Sequence, residues 1–241
     1  MSPSGAVATL RGVVDIPAIA VVIGDPARVR MLEALIEERD LPAGELARRA
    51  GVSASTASVH LAKLFEGGLV MVDRRGRQRR YRLTGPAVAA AVEALGAIAP
   101  IRPVRSLREA IRGDLLREGR TCYDHLAGRV GVELTRALRR NGILRRRDSA
   151  YLLTRRGEQL LTELGIDVAR VRAQRRPFAF ACLDWSEHRH HLAGALGAAL
   201  AERLFGLGWV ERVGPGRAAA LTEVGRVELR TRLSLDLLSS R

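Results

Sequence analysis

A chain of 241 residues that is 47% apolar but only 4% aromatic can bury a core of Leu, Val and Ala, in one large domain or two ordinary ones, and favours helices over a β-sandwich. Its net charge of +14 calls for an acidic partner, usually nucleic acid, and is uneven: residues 1–100 carry 13 Arg/Lys and 10 Asp/Glu (+3), residues 101–241 carry 27 and 16 (+11). Two cysteines make no disulfide scaffold, no apolar run reaches the ~18 residues of a membrane span, and Asp15 without a basic leader argues against a signal peptide. The expectation is a cytoplasmic protein with reduced thiols and no membrane partner.

Asp15 caps a short helix to Ile23 with Pro17 in its first turn, and Asp25 caps a second with Pro26 at its first position. Val29, Leu32, Leu35 and Ile36 fall on one face of that second helix. "LPAGELARRAGV" from Leu41 is a third segment, ending at Gly51. Ser53 caps a fourth helix that closes at Gly67 and Gly68. Leu69–Val72 and Arg79–Leu83 read as strands around an Arg-Arg-Gly-Arg turn. A helix from Gly85 to Leu95 and the linker "APIRP" complete a first domain, residues 1–100.

Residues 104–241 contain an internal repeat, over about 104–167 and 178–236. "HLAGRVGVELTRALRRNGIL" at 125–144 matches "HLAGALGAALAERLFGLGWV" at 191–210 at an offset of 66, and "LLTRRGEQLL" at 152 matches "ALTEVGRVEL" at 220 at an offset of 68. Each unit reads as helix, short hairpin, Leu-Thr, helix. The units echo the N-terminal half, but the interval Gly51–Gly68 is 17 residues and its counterparts Gly131–Gly142 and Gly197–Gly208 are 11. The fold class expected is mainly α with small β-hairpins: an N-terminal winged helix-turn-helix followed by two degenerate winged-helix-like repeats.

"ELARRAGVSASTASVHLAKLFEGGLV" has the parts of a helix-turn-helix: a positioning helix, a turn at Gly51, and a second helix anchored by Leu61 and Leu64. Ser53, Ser55, Thr56, Ser58, His60 and Lys63 are left to face double-stranded DNA. "RRGRQRR" follows where a wing belongs, with Arg74, Arg75, Arg77, Arg79 and Arg80 suited to phosphates or the minor groove. Alone, such a run is a solvated hairpin; behind a helix-turn-helix, DNA contact is the better reading.

These segments, with "GDPARVRMLEAL", resemble the ArsR-type family of winged-helix regulators over roughly residues 15–98. The resemblance implies a homodimer paired through helices 15–23 and 86–96, repression by occupying an operator, a recognition helix carrying Ser55, Thr56, Ser58 and His60, and Tyr81 on the second wing strand. The chain departs from the family by lacking its metal ligands, a cysteine motif in the helix at Leu41–Ala50 or Asp and His on the last helix, and by its whole second half.

That half holds both cysteines and four of the five histidines. Cys122 and His125, three apart, would share a helix face and, if the repeats pack about a pseudo-twofold, would meet Cys182 and His188 or His191. Thiolate plus imidazole suits zinc, copper or nickel. The other readings are a thiol switch, an organic effector walled by Tyr123, Phe178, Phe180 and Trp185, and a purely dimerising or DNA-backbone extension. Buried structural cysteines and capping histidines are the plain alternative. No phosphate loop, nucleophile elbow or framed carboxylate pair marks an enzyme. The functional expectation is a sequence-specific repressor with an effector-sensing C-terminal half; the rivals are an architectural, weakly specific DNA binder and a metal-binding module without regulatory role.

Overall fold

The computed structural model describes residues 14–76, 78–100, 103–104, 106–214 and 216–235. The first helices start where the acids cap them. Asp15 accepts from the Ala18 amide at 3.0 Å to open α1 (Ile16–Ile23), and Asp25 accepts from Ala27 and Arg28 to open α2 (Pro26–Glu37). Met31, Leu32, Leu35 and Ile36 of α2 are almost wholly buried. Leu41 does not begin a helix. Leu41–Pro42 is a short strand, β1, because it pairs with Tyr81 and Arg80, and α3 (Ala43–Ala50) starts only after it. Gly51 takes a left-handed φ of 70°, which turns the chain into α4 (Ala54–Glu66) under the Ser53 cap.

The wing strands run further than their apolar residues indicate. β2 (Val70–Arg75) and β3 (Gln78–Leu83) pair up to Arg75 opposite Gln78, with Gly76 in the turn, and the three-stranded order is β1-β3-β2. The last helix of this half, α5, spans Pro86–Ile98. The core of α2, α3, α4 and the sheet is separate from that of the second half.

The second half begins with α6 (Leu107–Glu118) and then repeats one order of elements. First come β4 (Arg120–Cys122), β5 (His125–Ala127), α7 (Gly128–Arg140), β6 (Leu144–Arg147), β7 (Ala150–Leu153) and α8 (Arg155–Glu163). After α9 (Val168–Arg172) come β8 (Phe180–Leu183), β9 (His190–Ala193), α10 (Gly194–Gly206), β10 (Val210–Arg212), β11 (Ala219–Leu221) and α11 (Glu223–Leu233). α7 and α10 share one leucine-rich core. Each repeating segment thus opens with a hairpin that periodicity does not reveal.

Gly131 and Gly197 are not turns between two helices, unlike Gly51. They lie inside the continuous helices α7 and α10, where backbone passes too close for a side chain. A Cβ on Gly131 would sit 2.4 Å from the Leu126 carbonyl oxygen and one on Gly197 2.6 Å from that of Leu192. Their other neighbours are crossed: Gly131 faces the Cβ of His191, and Gly197 faces the Cβ of His125. No helix among the described residues is long and apolar enough to cross a membrane.

Candidate nucleic-acid interface and metal centre

α4 buries Ala57, Leu61 and Leu64 and leaves Ser53, Ser55, Thr56, Ser58 and Lys63 exposed. The Ser53 hydroxyl accepts from the Thr56 amide at 3.2 Å and lies within hydrogen-bond distance of the Ser55 and Thr56 hydroxyls, so the helix starts with a rigid polar cluster. His60 is turned away from that face. Its Nδ1 lies 3.4 Å from an Arg28 nitrogen and 3.9 Å from Asp25 Oδ1, which places it against the start of α2. Val59, not singled out from the sequence, is 56% exposed between Ser55 and Lys63. An apolar group there suits a thymine methyl, and the same periodicity that buries Leu61 could have identified it.

On the wing, Arg74, Arg75 and Arg79 are exposed. Arg74 and Arg79 stand directly opposite each other across the ladder, a like-charge pair that is unfavourable in isolation and eased by an anion. Arg77 lies outside the described residues. Arg80 is tied inward, its Nε 2.9 Å from Asp40 Oδ1, and Tyr81 is buried in the first core beside β1. Both hold the wing to the body of the domain.

In the second half, Cys122 and His125 meet by another route than a helix face. They are cross-strand partners in the β4–β5 hairpin, and Cys182 and His191 are cross-strand partners in β8–β9. The two hairpins bring their ligands together: the Sγ and imidazole nitrogens of Cys122, His125, Cys182 and His191 lie within 4.8 Å of one another, all buried. His188 is excluded, since it sits exposed in the β8–β9 loop with a φ of 51°.

Each histidine turns its Nδ1 toward a carboxylate and its Nε2 inward. His125 Nδ1 is 3.2 Å from Asp124 Oδ1. His191 Nδ1 is 3.2 Å from Asp184 Oδ2, though off the line of a good hydrogen bond. The two Nε2 atoms are 3.1 Å apart. Carboxylates at Nδ1 favour the tautomer with the proton there, which leaves two lone pairs facing each other. Such a pair needs a proton or a cation between.

Burial raises the Asp124 carboxyl, but hydrogen bonds from His125 and Arg176 outweigh it and hold the group at about 2. Burial likewise opposes ionisation of Asp184, yet His191 and Arg120 keep it far below the usual carboxylate range. The hydrogen bond to Cys182, together with burial, pushes the Cys122 thiol up to about 12. A thiol kept protonated is a poor nucleophile, which speaks against direct attack on peroxide.

The four aromatics considered as pocket walls do not converge, because each packs elsewhere. Tyr123 lies under Arg39, Phe178 under Arg172 and Trp185 under Arg120, while Phe180 packs on the small core around the cysteines. An apolar space in this half is lined instead by leucines of α7, α8, α10 and α11 with Trp209 and Arg232.

A helix-turn-helix domain family model matches residues 23–73. The chain is 41% identical over 223 residues to YdfF, an HTH-type transcriptional regulator of Bacillus subtilis, covering 92% of this chain and 99% of that protein. It is 40% identical over 73 residues to the HTH-type transcriptional regulator CmtR of Mycobacterium bovis, covering 30% of this chain and 61% of CmtR. Among solved structures it is similar to the transcriptional repressor BigR from Xylella fastidiosa, with 30% identity and a TM-score of 0.34 over 36% of this chain and 88% of that one.

Proposed function

We propose that this chain, which belongs to the HTH-type transcriptional regulators and is a regulator rather than an enzyme, is a dimeric cytoplasmic repressor of the ArsR type that occupies a palindromic operator and whose effector is a thiolate-binding metal ion held in its second half. The observation that carries the metal reading is the buried Cys122–His125–Cys182–His191 group with its inward-facing Nε2 pair. Two cysteines and two histidines suit tetrahedral zinc, and nickel or softer copper(I) also take thiolate and imidazole ligands. A divalent ion bound by two thiolates leaves a neutral buried centre, whereas copper(I) leaves a net negative one, so charge favours the divalent ions.

Ser55, Thr56, Ser58 and Val59 then read base edges, Ser53 and Lys63 meet phosphates, and Arg74, Arg75, Arg77 and Arg79 serve the wing. The duplicated hairpin-helix-hairpin-helix order is read as two degenerate winged-helix-like units in which one helix replaces α3, the turn and α4. α1 supports a dimer face, since Ile16 and Val21 are exposed, as is Ile98 of α5.

The test is operator binding by the full chain, using DNA from upstream of its own gene, with and without zinc, nickel and copper(I), for the parent and for Cys122→Ser and Cys182→Ser. Release or tightening with one ion, lost in both variants, is the expected result. Tight specific binding indifferent to every ion removes the metal effector. Equal affinity for random DNA, with a steep salt slope, makes the chain an architectural binder. Stoichiometric metal uptake without any DNA effect leaves only a metal-binding module.

A further inference from the structure

α5 joins the two halves, and one face of it meets the Cys/His centre and the residues around it at three successive points. Ala90 packs on the small core of Cys122, Ala127, Cys182 and Ala193. Gly96 lies against Trp185, whose Cβ would be 3.5 Å from a Cβ on that glycine. Between them Glu93, only 3% exposed, is the single acid of an otherwise apolar helix. A buried carboxylate in such a place is costly unless it is paired. Its Oε2 accepts from Arg120 at 3.2 Å and its Oε1 accepts from Arg217.

Arg120 is fully buried and bridges two acids. The same nitrogen that reaches Glu93 lies 3.1 Å from Asp184 Oδ1. Its other terminal nitrogen donates to the Leu116 carbonyl and the Ser186 hydroxyl, each at 3.1 Å, and its guanidinium lies 4.5 Å from the Trp185 ring centre. Asp184 Oδ2 faces His191 Nδ1. The path His191–Asp184–Arg120–Glu93 is therefore an unbroken run of buried polar contacts of 3.1–3.2 Å, with two acids balanced by Arg120 and Arg217. Arg120 is two residues before Cys122 and Asp184 two after Cys182, so both members of the bridge ride on the ligand hairpins.

We propose that Arg120 is the positioning residue that couples occupancy of the Cys/His centre to the placement of α5, and through α5 to the DNA-binding half. It rests on the metal reading above. An ion drawn between the two hairpins fixes the spacing of β4 and β8. The planar guanidinium holds a fixed geometry between Asp184 and Glu93, so α5 follows that spacing. Lysine keeps the charge but has no second nitrogen to hold the Leu116 carbonyl and the Ser186 hydroxyl while it reaches the two acids, and glutamine at 93 keeps the shape but weakens the tie.

The test uses the full-length chain, its operator, and the Arg120→Lys and Glu93→Gln variants. Cobalt(II) absorbance reads tetrahedral thiolate coordination before any DNA is added, and operator affinity is then measured with and without zinc. The parent is expected to change operator affinity by about 5- to 150-fold on zinc. Both variants should bind cobalt(II) within about threefold of the parent and lose the zinc effect to below about twofold. A merely structural network would lower stability yet leave the zinc effect intact, and that result overturns the proposal. Should a variant not fold, hydrogen exchange in the parent decides: zinc should alter protection of the α5 amides, and unchanged α5 amides overturn it. Absent cobalt(II) absorbance in the parent overturns both the metal reading and this one, and is told apart because it appears without DNA or variants. A zinc-indifferent operator affinity despite bound cobalt(II) leaves the centre standing and overturns the coupling.

Discussion

Gly197→Ala should destabilise the protein although it replaces glycine by the best helix former. In an open helix interior the change gains about 1 kcal/mol. At 197 the new methyl would lie 2.6 Å from the Leu192 carbonyl oxygen, 3.0 Å from its carbon and 3.2 Å from His125 Cβ. Two of those atoms are backbone of β9, itself paired to β8, so the helix or the hairpin has to move. Overpacking costs about 1–3 kcal/mol, and contact with backbone puts this site near the upper end. The net is a loss of about 2 kcal/mol, read by urea unfolding of the metal-free chain. The control is Gly113→Ala in α6, where the nearest neighbour is the flexible end of Arg117 at 3.5 Å and a gain of up to about 1 kcal/mol is expected. The new methyl also presses on His125, so under the proposed metal reading metal affinity should fall with stability. If Gly197→Ala proves as stabilising as Gly113→Ala and leaves metal affinity alone, the close crossing of α10 and the ligand hairpins is wrong.

On the wing, Arg79→Thr should relieve the opposition to Arg74 and raise stability by about 0.2–1 kcal/mol, while operator affinity drops and its salt slope shrinks by about one. A thermal melt beside a salt titration of operator binding checks both signs. Ligation by Cys122 must expel a proton that the metal-free thiol holds up to about 12. Apparent zinc affinity should therefore rise at least about tenfold per pH unit between roughly pH 6 and 8, as competition with a chelator would show. Asp124 is depressed from 3.8 to about 2 in the folded chain, so its stabilising contribution is complete above its unfolded value and is lost as pH falls through the folded one. Acid titration of the second half by circular dichroism should show an added loss in that window, and Asp124→Asn should remove it.

The DNA-binding half was legible because its signals are local. Asp15, Asp25 and Ser53 cap helices from adjacent positions, and Ala57, Leu61 and Leu64 mark a buried stripe by spacing alone. His60 was misdirected because a polar side chain on a recognition helix reads as outward, while the partner that turns it, Asp25, is 35 residues away. The chemistry of the second half was legible as composition: Cys122, His125 and Cys182 group with His188 or His191 from the sequence alone. Its geometry was hidden. A three-residue spacing fits a helix face, but a tight hairpin joins the same two residues, and strands of three residues carry no periodicity. Glu93 and Arg120 were missed for a different reason. A lone charge in "PAVAAAVEALGAI" was itself the signal, since burying it demands a partner that sequence distance conceals.

Burial of the cysteines has a kinetic side. Cys122 has no solvent exposure and Cys182 has 5%. A metal ion or an alkylating reagent gains the sulfur atoms only while the hairpins are parted. The pace of capture is then set by how often that opening occurs and how long it lasts, rather than by diffusion. A thiol trap of increasing concentration should reach a plateau rate equal to the opening rate. On the proposed metal reading, such a chamber behaves less like a gauge of the momentary concentration outside than like an average over many openings.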